Sequence, residues 1–513
     1  MKRRPLLLPT ALVGLIAAGG LAVGVRQQAC AAPTAGTLAP ATPGSLRAAA
    51  ARGGISVGTA LSWHALTTDA RYFPALLRDF DAVTLENASK WGTVQHTEGA
   101  WDWSRADEAV GEASAAGLSV RAHPLVWDEH VPGWAVALPP DAFRAASDDF
   151  IEQAVSRYAG QVDTWDVINE LIEDDGRQST APLFSGRGAG QAEAAFRLAR
   201  AEDPSARLFY NDDAIAWNNE RSQGVEAMLR RWKAEGVPID GVGMEMHLRA
   251  GRAPPEQTVR QRIRAFGDLG LHVEITELDV RTAHLSGAPR GRQIAQARAF
   301  YDAVHACVAE PACGRVSFWG FTDRHSPWPQ GEAATLLDED YTPKLAWRAV
   351  KAALEDRPPP FCADELVPNG TFEQGIGGWT ANGARLTLDT ADASAGRAAL
   401  RVVDREADWA SPQLDLTDIL SEGVAWELRT QVRADGSAPA PLKWTLRADM
   451  ASGAPHYTVL WEGEGQPGVW AEAQATVSLE LPGTPTKLTL YLEGPPAGVD
   501  VAVDSVSLKP ACR

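Results

Sequence analysis

The sequence predicts an α/β chain in which a (β/α)8 TIM barrel is followed by an all-β jelly-roll sandwich. Apolar strand-like runs alternate with helix-like stretches over residues 45–356, and a stiff, proline-rich linker follows at 357–363. Short alternating strands with Gly, Pro and Asp turns then fill residues 364–513. A chain of 513 residues is also too long for one hydrophobic core, so two domains are expected.

Eight strand-like runs define the predicted barrel. Ala-, Glu- and Arg-rich amphipathic stretches separate them, as at 141–158 and 224–235, and these stretches are typical of helices. Eight alternating units favour a closed barrel over an open doubly wound sheet, and no Gly-rich turn of the dinucleotide-binding kind follows the first run. The runs are Ile55–Leu61, Ala82–Asn87, Leu118–Trp127, Thr164–Glu170, Arg207–Asp212, Gly241–Leu248, His272–Val280 and Arg315–Asp323.

The N-terminus has the three parts of a secretory signal. Basic residues at positions 2–4 precede an apolar run, Leu6–Val25, and a small-residue cleavage site at Ala29–Ala32. We predict a signal peptide over residues 1–31, a linker rich in Ala, Pro and Thr over 32–44, and a secreted, extracellular protein. Two alternatives are an uncleaved membrane anchor and a lipid-anchored surface protein modified at Cys30, although Gln27 stands where lipidation sites usually have Leu.

Five cysteines in an exported chain predict two disulfides and one cysteine left over. Cys307 and Cys313 could close a short loop, and Cys362 and Cys512 could tie the two ends of the C-terminal segment together. Cys30 is then the odd cysteine, which signal cleavage would remove.

The net charge and the tryptophan content of the chain indicate what kind of molecule the protein binds. The net charge of −18 disfavours nucleic acid and anionic membrane surfaces. The 18 tryptophans exceed ordinary usage, and those that do not fill the core are candidates for stacking on sugar rings. We therefore expect a neutral polysaccharide as the partner, with no nucleic acid, no membrane after signal cleavage, and a monomeric protein.

Polar and aromatic side chains occur at the end of almost every predicted barrel strand. In a parallel barrel the C-terminal ends of the strands line the mouth of the active site, so these side chains should meet there. They are Glu86, Asn87, Lys90, Trp91, His123, Trp127, Asn169, Glu170, Asn211, Asp212, Glu245, His247, Glu277, Trp319 and Asp323.

Two of these residues, Glu170 and Glu277, each follow an apolar strand and suggest paired-carboxylate chemistry. Hydrolysis of a glycosidic bond needs one neutral carboxyl to protonate the leaving oxygen and one ionised carboxylate to attack the anomeric carbon. Asn169 could hydrogen-bond a hydroxyl beside the reacting carbon, and tryptophan rings could stack on the sugar faces. The pattern predicts a glycosidase.

Five motifs closely resemble those of the family 10 glycoside hydrolases, which are chiefly endo-β-1,4-xylanases. They lie in family order within residues 45–355, and the Cys307–Cys313 spacing is also similar to a disulfide of that family. The motifs are Leu85-Glu-Asn-Ala-Ser-Lys-Trp91, Val120-Arg-Ala-His-Pro-Leu-Val-Trp127, Trp165-Asp-Val-Ile-Asn-Glu170, Ile275-Thr-Glu-Leu-Asp279 and Phe318-Trp-Gly-Phe-Thr-Asp323.

The resemblance implies a retaining double displacement with Glu170 as acid/base and Glu277 as nucleophile, and it implies no required cofactor. His123 and His247 could instead be satisfied core histidines, Trp91 a core residue and Asp212 a structural acceptor. No close ligand spacing supports a metal site. The substrate-binding or supporting positions that the resemblance implies are Glu86, Asn87, Lys90, His123, Trp127, Asn169, His247, Trp319 and Trp328.

Several positions depart from the family pattern. Of these, Glu245 matters most, because it could place a third carboxyl near the nucleophile. Like charges at close range disfavour joint ionisation, so one carboxyl should have a raised pKa, with an acid-shifted optimum or an altered substrate preference. The departures are Asp128 for His, Glu245 for Gln, Asp213-Ala214 for Tyr-Asn after Asn211-Asp212, and an extra residue at Pro327.

The C-terminal segment resembles β-sandwich carbohydrate-binding modules of families 4, 9 and 22. The resemblance rests on Leu366–Glu373, on Gly378-Trp379 and on a final strand at Val499–Leu508. Modules of this type often carry a structural calcium ion, although no compact acidic loop here requires one. The aromatic residues that either stack on sugar or fill the core are Trp379, Trp409, Trp444, Tyr457, Trp461 and Trp470.

The sequence thus predicts a secreted endo-β-1,4-xylanase that binds xylan or a related β-1,4-linked polysaccharide. One alternative is a retaining β-glycanase with another or a decorated β-1,4-glycan as its main substrate. Another is a weakly active polysaccharide-binding protein, against which the intact pair Glu170 and Glu277 argues.

Overall fold

The computed structural model describes residues 36–180, 191–329 and 331–512. Eight parallel strands close into a barrel in chain order, and β1 pairs with both β2 and β8. This arrangement confirms the predicted (β/α)8 barrel. The barrel strands are β1 Ser56–Leu61, β2 Ala82–Leu85, β3 Ser119–Ala122, β4 Thr164–Asn169, β5 Arg207–Asp212, β6 Gly241–Arg249, β7 His272–Arg281 and β8 Cys313–Phe318.

Helices of the described residues surround the barrel, and several present a stripe of buried alanines and valines to it. They are α1 Leu46–Gly53, α2 Trp63–Thr68, α3 Tyr72–Asp79, α4 Trp91–Val94, α5 Ser104–Ala115, α6 Gly133–Val136, α7 Pro140–Arg157, α8 Gln191–Glu202, α9 Glu220–Ala234, α10 Glu256–Gly267, α11 Pro289–Val308 and α12 Leu345–Leu354.

Three barrel strands end two or more residues earlier than the sequence pattern predicts, and the residues beyond them become loops at the mouth of the barrel. Pro124 has no N–H to donate to a neighbouring strand, so it interrupts β3. Gly320 has a φ of 84°, which is incompatible with an extended strand and ends β8. The observed ends are Leu85 rather than Asn87, Ala122 rather than Trp127, and Phe318 rather than Asp323.

A buried ion-pair network fills the interior of the barrel. Arg121 is 1% exposed, and its guanidinium donates to Asp166 at 2.9 Å and to Glu274 at 2.8 Å. Buried charges are tolerated when each one is paired and hydrogen-bonded. The network therefore gives the site above it a fixed polar floor.

The C-terminal domain is the predicted β-sandwich. Two five-stranded antiparallel sheets have the strand orders β10-β11-β18-β13-β16 and β15-β14-β17-β12-β9. Trp426 and Trp444 are fully buried in its core. The strands are β9 Trp379–Asn382, β10 Arg385–Asp389, β11 Ala399–Val403, β12 Ser411–Asp415, β13 Ala425–Ala434, β14 Ala440–Met450, β15 His456–Gly465, β16 Ala471–Ser478, β17 Pro485–Glu493 and β18 Val501–Pro510.

The segment predicted as a linker at 357–363 is ordered. It contains a 3-10 helix, Pro360–Ala363, and buries Phe361 under the guanidinium of Arg298. The predicted disulfides Cys307–Cys313 and Cys362–Cys512 are both present, and the second joins this helix to the C-terminus. The two domains therefore meet through packed contacts.

The predicted signal peptide and Cys30 lie outside the described residues. Of the predicted linker at 32–44, the described part forms neither helix nor strand, although the Gly36 N–H donates to the Ser114 carbonyl at 2.9 Å. No helix in the described part of the chain combines the length and the apolar character that a membrane crossing requires.

Candidate active site

Glu170 lies immediately after β4, at the C-terminal mouth of the barrel. Its φ of 51° is left-handed, which is uncommon for a residue with a side chain and typical of functional sites. The Trp127 indole donates to Glu170 Oε2 at 2.9 Å. Burial raises the pKa of Glu170, while the bond from Trp127 opposes the rise. The side chain is therefore suited to hold a proton.

Glu277 lies on β7 and is 4% exposed. Its Oε2 is 3.2 Å from His247 Nε2, and its Oε1 is 3.7 Å from His123 Nδ1. Burial acts to raise the pKa of Glu277, but the two histidines outweigh it and hold that pKa below its ordinary value. The environment of Glu277 therefore favours its ionised form, whereas that of Glu170 favours the protonated form.

His247 is oriented by Asp279, a residue that sequence reasoning did not single out. Its Nδ1 donates to Asp279 Oδ2 at 2.6 Å, and the Trp328 indole donates to the same oxygen at 2.7 Å. Burial acts against protonation, yet Asp279 and Glu277 raise the pKa of His247 well above its ordinary value. The signal for Asp279 was its position two residues after Glu277, which puts both on one face of β7.

His123 is held in a similar way by Asp166, which was also missed. Its Nδ1 lies 3.0 Å from Asp166 Oδ2, and Arg121 pairs with the same carboxylate. Asp166 lies inside an apolar strand, so a charged residue at a buried position was the available signal. The barrel floor therefore connects to the nucleophile through His123.

Asn211 links the carboxyl groups of the site. Its Nδ2 lies 2.9 Å from Asn169 Oδ1, 2.7 Å from Glu245 Oε1 and 3.0 Å from Glu277 Oε1. Its Oδ1 accepts from Thr276 Oγ1 at 2.7 Å, which fixes which way the amide points. Asn169 Nδ2 is buried and finds no acceptor among the described residues, so it is free to donate to a ligand.

Aromatic rings wall the site. Trp319 packs edge-on to His123 and His247, with ring centroids 5.5 and 6.2 Å away. The Lys90 ammonium lies 4.8 Å from the centre of the Trp127 ring, and burial lowers the pKa of Lys90 while nearby carboxylates oppose the shift. The structure therefore brings the predicted tryptophans and Lys90 together with the paired carboxylates.

Glu245 is the third carboxyl that the sequence predicted near the nucleophile. It lies on β6 directly opposite Glu277 and is 3% exposed. Burial, followed by the charges of Glu277 and Glu170, raises the pKa of Glu245 well above its ordinary value. Of the three carboxyl groups, Glu245 and Glu170 thus have raised pKa values, whereas the pKa of Glu277 is lowered.

Several other candidates lie outside this cluster. Asp212 is a buried structural acceptor for Tyr210 and Arg221, and burial raises its pKa to about 7. Trp91 packs in the core, Asn87 is exposed, and Asp128 begins an exposed 3-10 helix, Asp128–His130. Glu86 is half-buried near Lys90.

Glu245, His247 and Glu277 bring possible ligand atoms within 4.8 Å of one another, so they could in principle hold a cation. However, both ring nitrogens of His247 face carboxylates, and its raised pKa keeps them protonated. We therefore assign no metal to this group. The described part of the sandwich contains no comparable group, and a calcium ion there stays a prediction.

The aromatic candidates of the sandwich separate into two classes. Trp379 and Trp444 are buried. Trp409 is 47% exposed and Tyr457 is 53% exposed. Tyr457 and Val459 share one face of β15. Val459 pairs with Thr445 and Trp461 with the buried Trp444, so Leu460 is an extra residue in β15 and Trp461 lies on the opposite face, against the core. Trp470 is half-buried against the Arg433 guanidinium, and is thus a poor stacking candidate.

Two family models match the chain. The model described as glycosyl hydrolase family 10 matches residues 45–353, and the one described as a carbohydrate binding domain matches residues 364–498. The Humicola insolens protein endo-1,4-beta-xylanase 1 is 30% identical over 305 residues, which are 58% of this chain and 71% of that protein. Endo-1,4-beta-xylanase B of Thermotoga neapolitana is 31% identical over 56% of this chain and 84% of that protein.

Solved structures of xylanases also align with this chain. Native xylanase 10B from Thermotoga maritima aligns with a TM-score of 0.58 and 33% identity, covering 61% of this chain and 98% of that one. Xylanase 10B from Thermotoga petrophila, solved in complex with xylobiose, aligns with a TM-score of 0.59 and 32% identity, covering 62% of this chain and 99% of that one.

Proposed function

Because the chain belongs to glycosyl hydrolase family 10, we propose that it is a retaining endo-β-1,4-xylanase that cleaves internal bonds of xylan by double displacement. The observation that carries the proposal is the contrast between two neighbouring carboxyl groups. Burial raises the pKa of Glu170, whereas His123 and His247 hold that of Glu277 down. One acid and one nucleophile are what retention requires.

In the first step the Glu277 carboxylate attacks the anomeric carbon and forms a glycosyl ester. Glu170 gives its proton to the leaving oxygen, so the bond to the leaving sugar breaks without release of an alkoxide. His123 and His247 hold Glu277 in place, and the free Asn169 Nδ2 is available for a hydroxyl of the reacting sugar.

In the second step Glu170, now a carboxylate, removes a proton from water, and the water oxygen attacks the anomeric carbon of the ester. The bond to Glu277 breaks, and both carboxyl groups return to their starting state. Two inversions give net retention. The floor formed by Arg121 and Asp166 keeps His123 oriented throughout.

Reducing-sugar release from xylan and from cellulose by the wild-type protein and by Glu277→Ala tests the activity. We expect release from xylan that Glu277→Ala abolishes. A preference for cellulose would favour the second candidate, a β-1,4-glycanase of other or decorated substrate preference, for which the unusual Glu245 in the site is the motivating observation. Equal, weak release by both proteins would leave only a polysaccharide-binding protein.

We further propose that the sandwich holds the secreted enzyme on its insoluble substrate, with the exposed Tyr457 as a stacking ring. Tethering raises the local concentration of the catalytic domain without new contacts at the active site. Tyr457→Ala should weaken pull-down by insoluble xylan while leaving hydrolysis of xylotetraose unchanged. Val469→Ala, which removes another exposed apolar side chain, is the control. Unchanged pull-down by Tyr457→Ala would contradict the placement.

A further inference from the structure

We propose that the sandwich is a positioning element of the active site, because it braces the loop after β7 and, through that loop, the indole of Trp328. We call residues 282–288, which follow β7, the β7 loop. Capture of an insoluble substrate needs no fixed contact between the sandwich and the barrel. The positioning role rests on the proposed function only where hydrolysis is its readout.

The backbone of the β7 loop is hydrogen-bonded to the sandwich. The Ala288 N–H donates to the Leu420 carbonyl at 2.9 Å, and the Glu422 N–H donates to the Ser286 carbonyl at 3.1 Å. Glu422 Oε2 also accepts the Ser286 N–H at 3.2 Å. Buried backbone groups need such partners, and the sandwich supplies three of them to this loop. The conformation of the β7 loop therefore depends on the sandwich.

The two domains approach each other more closely than side chains would allow. A Cβ at Gly291, in the first turn of α11, would clash with the Ser421 hydroxyl and lie 2.7 Å from Ser421 Cβ. A Cβ at Gly251, in the loop after β6, would clash with the Cα of Gly423. Ser421 is fully buried. The seam between the domains is thus packed as closely as a protein core.

The helix that follows the β7 loop is held by the other end of the sandwich. Arg290 of α11 forms an ion pair with Asp364, and the Arg298 guanidinium donates to the Ala511 carbonyl at 2.6 Å. The second disulfide fixes the same C-terminal segment. The sandwich therefore cannot swing away from α11 without breaking these contacts, and its support of the β7 loop is permanent.

The β7 loop in turn supports the loop after β8. The Thr282 N–H donates to the Glu332 carbonyl at 3.2 Å, and the Ala283 N–H donates to Glu332 Oε2 at 3.1 Å. The Glu332 N–H donates to the carbonyl of Pro329 at 3.2 Å, and Pro329 directly follows Trp328. A shift of the β7 loop would therefore reach the backbone beside Trp328.

Trp328 connects this support to the catalytic cluster. The Arg281 guanidinium lies 4.2 Å from the centre of the Trp328 ring, and the indole donates to Asp279 at 2.7 Å. The ring also packs edge-on to His247. A displaced Trp328 would change the wall of the sugar site, whereas Asp279 would keep its own bond to His247 at 2.6 Å. The expected signature is a raised KM with little change in kcat or in the acid limb of the pH–rate profile.

Hydrogen exchange of the whole chain tests the support directly. Gly291→Ala should push Ser421 away, because an added Cβ in a packed interface forces a shift. The peptide that contains Thr282 and Ala283 should then exchange faster, although these amides are bonded to Glu332 in the barrel. Ser421→Gly in the same chain removes the clashing side chain and should restore slow exchange.

Unchanged exchange in Gly291→Ala, or no recovery in the double variant, would overturn the proposal. Gly111→Ala in α5, where an added Cβ meets open space, is the matched control and should exchange like the wild type. Glu422→Ala is a milder second variant, since it removes only a side-chain acceptor from the seam. It should accelerate exchange in the same peptide, by less than Gly291→Ala does.

Steady-state kinetics on xylotetraose test the consequence for the site. KM should rise about two- to thirtyfold in Gly291→Ala and in Glu422→Ala, with kcat and the acid limb in place. Glu480→Ala removes an exposed acid at the same seam and should leave KM unchanged. In a Trp328→Phe background the rise caused by Glu422→Ala should largely disappear.

An unchanged KM in the seam variants of an active enzyme would overturn the positioning role. A rise that persisted in full in the Trp328→Phe background would refute the route through Trp328. An inactive wild type would instead refute the proposed function, and hydrogen exchange would still decide whether the sandwich supports the β7 loop.

Discussion

Glu245 and Glu277 stand opposite each other on neighbouring parallel strands and share one donor, the Asn211 amide, at 2.7 and 3.0 Å. An amide group has two hydrogens, and Asn169 Oδ1 competes for them as well. The pKa values of the two glutamates nevertheless shift in opposite directions. The pKa of Glu245 rises well above its ordinary value, while the histidines beside Glu277 hold its pKa down.

Glu170→Gln tests the acid role through the leaving group. The variant cannot protonate the leaving oxygen, so kcat/KM on xylan should fall by about 10²–10⁴-fold. Activated aryl β-xylobiosides, whose leaving groups need no proton, should lose much less in the first step. Glu173→Gln, at an exposed acid nearby, should leave both substrates unaffected. An equal loss on xylan and on the aryl substrates would contradict the role.

Asp279→Asn should move the acid limb of the pH–rate profile to higher pH. The pKa of Glu277 is depressed, so the active carboxylate is lost as pH falls through that pKa. Without the Asp279 charge, His247 loses its proton more readily and supports the Glu277 carboxylate less. The pKa of Glu277 then rises. Measured kcat/KM profiles should show the shift.

Trp328→Phe is the control for that experiment. It removes the indole donor to Asp279 but leaves the carboxylate and its bond to His247. We expect the acid limb of the kcat/KM profile of Trp328→Phe to stay at the wild-type pH, even if its KM changes. If Asp279→Asn kept the wild-type acid limb, the chain of contacts from Asp279 to Glu277 would carry no electrostatic effect.

Gly243→Ala should damage the site through packing alone. A Cβ at Gly243 would lie 2.1 Å from Asn211 Oδ1 and 2.8 Å from Thr276 Cγ2, so Asn211 must shift. We expect a loss of about 1–3 kcal/mol in stability and a fall in kcat, measured by urea unfolding and steady-state kinetics. Gly111→Ala in α5 has open space around it and should stabilise by up to about 1 kcal/mol. Matching losses in both variants would refute the argument.

The backbone at Glu170 predicts an ordering of two inactive variants. Its φ of 51° is costly for any residue with a Cβ, by about 1–2 kcal/mol. Glu170→Gly should therefore be more stable than Glu170→Ala by about 1 kcal/mol in thermal or denaturant unfolding. The reverse order would show that the left-handed conformation carries no strain.

The barrel, the sandwich, both disulfides and the central cluster followed from local patterns in the sequence. Apolar runs that end in polar residues identify parallel strands, and the strand ends must converge in a barrel. Asp166 and Asp279 were missed because their importance lies in the histidines that they orient. The pairing of Glu245 with Glu277 depends on the bulge at Thr276, which no alternation of residue types reveals.

The sequence also could not predict which aromatic side chains of the sandwich are exposed. Trp444 and Trp461 pair across neighbouring strands, yet one is buried and the other is partly exposed. Leu460, the residue before Trp461, is an extra residue in β15, and the sequence gives no sign of it. Which tryptophan faces a ligand is therefore set by the sheet and not by the local sequence.

The most direct test of the proposed activity is mass spectrometry after incubation with an activated 2-deoxy-2-fluoro-β-xylobioside. The fluorine slows the second step more than the first, so a retaining enzyme should accumulate the glycosyl ester. We predict one added disaccharide per chain, on the peptide that contains Glu277. A label on another residue, or hydrolysis of xylan with inversion and no label, would contradict it.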